Sequence, residues 1–334
     1  MFLLVVLMLS AVCVVPVSAL VMTDSYFKYE VSFATNEAVI TKCLTNESSI
    51  VVPSHYMDYK ITGIKSYAFE NNQNLLSISL PTTIQVVDNY AFRNCKSLKS
   101  ITIPESVTRL AEGFCNGCSS LEKAYVNAAV NKLPAFSFAG CSSLDYVRLN
   151  PGISAIGQSA FSGCSSLQKI DILDNVTSID RVGFYQSGLD SFDFIEGTTS
   201  VYDYTFADCQ NLTRINIPRS VSFIDSTAFK NDSNLTLGVW YGSYGYDYAV
   251  ENGMDYTLLD GALLGDADGD GSVNVSDVTK VQRYLAELET LVGIYLHAAD
   301  ANQDGTVDIA DATAVQMYIA EYDLPYPIGE AITK

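Results

Sequence analysis

The sequence predicts a multidomain chain: a solenoid of short parallel strands joined by turns and short helices, then a small all-α module. Three observations carry this reading. Cys95, Cys118, Cys141 and Cys164 stand 23 residues apart. A twelve-residue run of oxygen-bearing side chains beginning at Asp266 is spelled again 34 residues later from Asp300. The charge is unevenly spread: 38 Asp+Glu oppose 19 Lys+Arg, a formal charge of −19, and 13 acids against 3 bases fall in residues 261–334.

A chain of 334 residues suits two or three ordinary domains unless a repeat array takes up the length. With 48% of residues apolar and 11% aromatic, general disorder is excluded. The acid excess argues against nucleic acid, which needs a basic footprint, and against anionic lipid. His55 and His297 are the only histidines, which leaves little material for imidazole catalysis or a His-ligated metal.

Residues 1–19 read as a signal peptide. Phe2 to Met22 is almost wholly apolar, and Pro16 followed by Val17-Ser18-Ala19 places the cut before Leu20. A membrane anchor of that length is the competing reading. Val12 before Cys13 is a poor lipoprotein signal. Residues 20–60, with Val31, Phe33, Val39 and Ile40 in alternation, read as N-terminal capping strands.

Residues 61–243 divide into eight units starting at Ile61, Ile84, Val107, Val130, Ile153, Val176, Thr198 and Val221. Slot nine is Phe in seven of them, from Phe69 to Phe229, and slot fifteen is Leu in all eight, from Leu75 to Leu235. The pattern then runs Leu-x-x-Ile-x-Ile (Leu98, Ile101, Ile103; Leu167, Ile170, Ile172), a short strand with one buried face. One unit cannot bury its apolar set alone; stacking puts Phe on Phe, Leu on Leu and Cys on Cys. The repeated Ala-Phe-x-x-Cys-x-x-Leu core resembles the BspA-like leucine-rich repeat family. Three units depart from it: the third with Phe114 and Cys115, the sixth with Ser187 for Cys and one residue missing, and the eighth with Asp232 for Cys. Local kinks are expected there. Residues 244–260 resemble the usual C-terminal cap and linker.

Cys115-x-x-Cys118 is a CxxC without the second pair of ligands zinc needs and without a redox fold around it. Both residues fall in core slots, so reduced, buried, unreactive thiols are expected. No nucleophile elbow, HExxH or phosphate loop occurs in the chain. Strand positions that should face outward include Lys123, Tyr125, Tyr146, Arg148, Lys169, Asp171, Asp193, Arg214 and Asn216. Tyr125, Tyr146 and Arg148 are residue types that anchor interfaces, and they form the candidate ligand face. The ligand, a protein or a carbohydrate, is not named by the sequence.

Residues 261–334 hold the most specific chemistry. Asp266, Asp268, Asp270, Asn274 and Asp277 occupy positions 1, 3, 5, 9 and 12 of a loop with Gly271 at 6, and the Ser272 carbonyl serves position 7. The second loop is Asp300, Asn302, Asp304, Thr306, Asp308 and Asp311, with Gly305. This is the calcium-loop arrangement of a hard, oxygen-loving cation, and it implies two Ca²⁺ ions; magnesium resists so many protein oxygens. Each loop leads into one helix, about 275–288 with Val278, Val281, Leu285 and Leu288 inward, and about 309–321 with Ala312, Val315 and Ile319 inward. No helix precedes the first loop, which speaks against a calmodulin-type sensor.

Loop then helix, twice, resembles the dockerin type I family. The resemblance implies a calcium-dependent plug for a cohesin module on a scaffoldin, in cellulosome-type assemblies that break down polysaccharide. By position it implies partner contacts at Val275, Ser276, Gln282, Arg283 and Glu287, and at Ile309, Ala310, Gln316, Met317 and Glu321. The sequence thus points to a secreted, non-catalytic binding protein held to a cell surface through a scaffoldin and free of the membrane after signal cleavage. The rivals are an enzyme component associated with glycoside hydrolases and a surface adhesin.

Overall fold

The computed structural model describes residues 20–168, 170 and 175–332. The expected leader 1–19 lies outside the described residues, as do Lys169, Asp171 and Ile172 of the repeat pattern.

Each repeat makes one turn of a β-solenoid because its buried slots recur on every turn. Phe69, Phe92, Phe138, Phe161, Phe184, Phe206 and Phe229 are all buried. Their rings form a column: Phe69–Phe92 at 5.0 Å, Phe138–Phe161 at 5.6 Å, Phe161–Phe184 at 5.2 Å and Phe184–Phe206 at 5.4 Å. Phe27 closes the column at the N-terminal end, 5.9 Å from Phe69, and Tyr248 closes it at the other, 6.2 Å from Phe229. Burying each ring contributes about 1.5–3 kcal/mol.

On one flank the strands Ser49–Val51, Ser77–Ser79, Ser100–Ile103, Lys123–Val126 and Tyr146–Leu149 stack in parallel. Their register puts Tyr125 between Thr102 and Arg148. Further along, Ser191–Asp193, Arg214–Asn216, Thr236–Val239 and Asp255–Leu258 form a second parallel sheet. The opposite flank carries two-residue strands such as Arg109–Leu110 and Lys132–Leu133.

Two residues per turn bend the chain. Slots seven and eleven adopt positive φ: Tyr67 and Asn71, Tyr90 and Asn94, Gly113 and Gly117, Val182 and Gln186, Tyr204 and Asp208. This alternation explains why the connecting arcs are runs of turns, where short helices were expected: a left-handed residue every four positions interrupts any right-handed helix. The expected kinks occur on the flank of short strands. Among the described residues its ladder is interrupted between Arg109–Leu110 and Lys132–Leu133, at the third unit, and between Ser178–Ile179 and Ser200–Val201, after the shortened sixth. At the eighth unit the expectation fails, because Thr236–Val239 pairs in register with Arg214–Asn216.

The caps follow the same logic. Leu20–Thr23, Phe27–Ser32 and Glu37–Cys43 pair antiparallel, and the last joins Tyr59–Ile64 in parallel. Val31 and Ile40 are buried, but Phe33 is 56% exposed, at a turn and edge-on to Tyr59. At the far end helix α1 (Tyr244–Glu251), capped by Ser243, and the strand Asp255–Leu258 close the array.

The last module contains α2 (Val275–Leu285), α3 (Ile294–Ala299) and α4 (Ile309–Ile319). Val273, Asn274 and Val275 share one hollow with Tyr318, Ile319 and Tyr322, so the start of α2 lies beside the end of α4 and the two run antiparallel. Val278, Val281, Ala312 and Val315 fill the space between them. Both helices are shorter than the sequence suggested. Leu285, Leu288 and Ile319 were expected inward, but they are 37%, 69% and 36% exposed. Helix α3 was not foreseen. A clasp joins the two ends of the module: Leu263 bridges to Ala331, Leu264 N–H donates to the Glu330 carbonyl and Ile332 N–H to the Ala262 carbonyl.

Candidate calcium centre and docking face

Each loop is shaped by its own carboxylates. In the first, Asp266 Oδ1 accepts the N–H groups of Gly269 (2.8 Å) and Asp270 (3.2 Å), and Oδ2 that of Gly271 (2.9 Å). Asp277 reaches back from α2: its Oδ1 accepts Asp268 N–H at 3.1 Å and its Oδ2 accepts Asn274 N–H at 2.8 Å. Asn274 in turn caps α2. This reciprocal cap ties the helix start to the loop. The second loop repeats the scheme. Asp300 accepts Asp304 and Gly305 N–H, Asp311 accepts Asn302 and Asp308 N–H, and Asp308 caps α4. Gly271 and Gly305 make the sharp turn at φ 85° and 91°, a region that side chains disfavour.

Ligand oxygens of Asp266, Asp268 and Asp270 lie within 4.8 Å of one another. Asp277 and Asp311 are fully buried, and burial holds both carboxyls above the usual range. Hydrogen bonds from the Thr306 hydroxyl and amide hold Asp304 below it. Crowded, partly buried carboxylates with neutral oxygens beside them fit a hard divalent cation, and nothing softer than oxygen is offered. The second loop has Asn302 where the first has Asp268 and Asp308 where the first has Asn274, so each loop gathers four carboxylates.

All ten expected partner positions are on the surface. Val275 and Ile309 are 65% and 62% exposed; Ser276, Gln282, Arg283, Glu287, Ala310, Gln316, Met317 and Glu321 are exposed too. Glu287 and Glu321 both take positive φ just past their helices, 59° and 60°. The structure adds residues that the sequence reading placed inward or passed over: Leu285 and Leu288, matched 34 residues on by Ile319 and Tyr322. The signal was present in the sequence, because Leu285-Ala-Glu-Leu-Glu289 is echoed as Ile319-Ala-Glu-Tyr-Asp323.

On the array, Tyr125 and Tyr146 are half-buried neighbours 5.8 Å apart, and Arg148 is exposed beside Tyr125. Asp193 and Arg214, on the same strip, pair at 2.9 Å. The thiols in the repeat's core slots are buried as expected. Cys95, Cys115, Cys118, Cys141, Cys164 and Cys209 are free and buried. Burial pushes the Cys115, Cys141 and Cys164 thiols up, and Cys209 up to about 12. Cys43 is only half-buried, because it ends a capping strand and lies outside the column.

Six copies of the BspA type leucine rich repeat region match over residues 62–188 and 131–237. The dockerin type I domain matches over residues 264–320. No curated protein matches the chain. Among solved structures, a leucine-rich repeat protein from Bacteroides ovatus is 19% identical, covering 72% of this chain and 76% of its own, with a TM-score of 0.46. One from T. pallidum is 22% identical over 61% and 85% at 0.42. One from Eubacterium ventriosum is 21% identical over 64% and 50% at 0.48. With the repeat model matching more than half of its length, the chain belongs to the BspA type leucine rich repeat family, and it carries a type I dockerin domain after the array.

Proposed function

We propose that the chain is an exported, non-catalytic binding component, docked on the cohesin of a scaffoldin by its C-terminal module while its repeat array holds a second partner. The observation that carries this reading is the doubled loop-and-helix unit. Two loops with the same carboxylate-to-amide bonding each organise one helix, and the ten positions implied by the dockerin resemblance are all exposed.

The mechanism is coupling of ion to surface. Two bound Ca²⁺ ions supply positive charge to loops whose eight carboxylates otherwise repel one another. Asp277 and Asp311 transmit loop order to α2 and α4, because each bonds its own loop at one oxygen and its helix cap at the other. The helices and the turns just past them then present Val275, Leu285, Leu288, Ile309, Ile319 and Tyr322 as apolar contacts, with Arg283 and Met317 distinguishing the halves. Among the described residues no helix is long and apolar enough to cross a membrane. On the array, Tyr125, Tyr146 and Arg148 are the residues we assign to the ligand face, for a protein or a carbohydrate.

Calcium titration of the full chain, followed by circular dichroism and by binding to a panel of cohesins, tests the docking half. Helix gain with calcium and cohesin capture that is lost on chelation are expected. Unchanged helix at millimolar calcium defeats the ion reading, and calcium-loaded protein that captures no cohesin defeats the partner reading.

A further inference from the structure

Slot twelve supplies a proton donor to the rung before it. Cys95 donates to the Phe69 carbonyl, Cys118 to Phe92, Cys141 to Cys115, Cys164 to Phe138 and Cys209 to Phe184, all at 3.1–3.2 Å. Each of these slot-nine carbonyls also accepts the slot-twelve N–H of its own unit: Asn72 to Phe69, Cys95 to Phe92, Cys118 to Cys115, Cys141 to Phe138 and Ser187 to Phe184.

At the Phe206 carbonyl both habits break, although Asp232 N–H still donates to the Phe229 carbonyl of its own unit. Asp232 stands in slot twelve, and its Oδ1 accepts the Cys209 N–H at 2.7 Å, drawing off the donor that the Phe206 carbonyl would have had. Its Oδ2 is buried without a partner. Among the described residues no donor reaches the Phe206 carbonyl, although Phe206 is fully buried. The rung therefore holds two acceptors in need of one proton. An ionised carboxylate can only accept.

We propose that Asp232 is a neutral carboxylic acid in the folded chain and that its Oδ2–H donates to the Phe206 carbonyl, taking the place of the thiol on the last rung. The surroundings agree. Asp208 and Cys209 of the preceding unit are the titratable groups that bear on it, and Asp208 is tied to Asn231 Nδ2 at 2.7 Å. Among the described residues Asp232 has no ion pair; Lys230 sits over the Tyr204 ring, and Tyr248 of α1 donates its hydroxyl to the Asp225 carbonyl. Burial pushes the Asp232 carboxyl up to about 7, against the hydrogen bond from Cys209, with Asp208 adding to the rise. An unfolded Asp titrates near about 3.9. From about pH 4 to about pH 7 the native chain thus keeps a proton that the unfolded chain has lost. Stability falls as pH rises through that window, by about tenfold in the folding equilibrium per pH unit, and is flat above it.

Asp232→Asn tests this, because an amide offers the same acceptor and a permanent donor and does not titrate. Asp232→Cys restores the thiol and serves as the second variant. In the calcium-saturated full chain, hydrogen exchange of segment 206–237 is compared with the parent at pH 5 and at pH 8. The proposal expects both variants to match the parent at pH 5 within about threefold and to be protected at least about tenfold more at pH 8. Variants that are less protected than the parent at pH 8, or that differ from it equally at both pH values or not at all, overturn it.

Discussion

At the scale of single residues, the array depends on small groups in fixed slots. Five thiols each satisfy a carbonyl one rung away, so the cysteine column works as a hydrogen-bond ladder in which every member is also a small apolar filler. Thiol–disulfide chemistry needs the thiolate and access, and the ladder denies both. Titration of the native chain with an aromatic disulfide reagent is expected to label Cys43 first, slowly because burial raises its thiol too, and to reach Cys95, Cys115, Cys118, Cys141, Cys164 and Cys209 only after denaturation. Rapid labelling of several thiols in the native chain would falsify this. The same slot shows how a substitution is absorbed. Ser187 keeps a hydroxyl 3.3 Å from Cys209 Sγ, whereas Asp232 brings a second oxygen that the rung has no donor for.

At the scale of elements, the C-terminal module is closed by a segment beyond the 264–320 family match. Ile328 and Ile332 are buried; the bond of Leu264 with Glu330 ties this segment to the start of the module, and that of Leu258 with Ile332 ties it to the last strand of the array. Ile332→Ala is expected to lower the stability of the calcium-loaded module by about 2–4 kcal/mol, read as a fall in its melting midpoint while calcium affinity changes little. An unchanged midpoint would show the clasp to be dispensable. Loop spelling and the repeat slots were legible in the sequence because each follows from nearest-neighbour chemistry. The clasp was not, because it pairs residues about seventy positions apart with no motif between them. Nor were the left-handed positions: Tyr67, Phe136 and Val182 are poor advertisements for positive φ, and only the stacking of whole turns holds them there. The inward placing of Leu285 and Leu288 failed for a related reason. A helical stripe was extended past Glu287, which turns left-handed, so Leu288 beyond it was assigned to a core, and Leu285 at the last turn of the helix is 37% exposed as well.

At the scale of the whole molecule, the solenoid and the docking module meet through aromatic side chains. The Tyr241 ring lies tilted against Tyr246, 5.0 Å away, and against His297 on α3, 6.1 Å away, and its N–H donates to Asp260, which also pairs with Arg219. Burial lowers the affinity of His297 for a proton, in keeping with an apolar seam. Tyr241→Ala is expected to leave calcium-induced helix intact while increasing proteolytic cleavage within residues 259–265 several-fold; equal cleavage rates would mean the seam carries no load. The uneven acidity of the chain finds its place here as well, since the densest charge belongs to the ion loops and the array carries only an ordinary surface excess. One last consequence follows from the stacked rungs. Parallel strands advance by about 4.8 Å per turn, so eight units set the capped end of the array on the order of 40 Å from the docking end. The array is therefore a spacer graduated in whole repeats. A gain or loss of one 23-residue unit would move whatever it holds nearer to or farther from the anchorage by a single pitch, leaving both caps and every remaining contact unchanged.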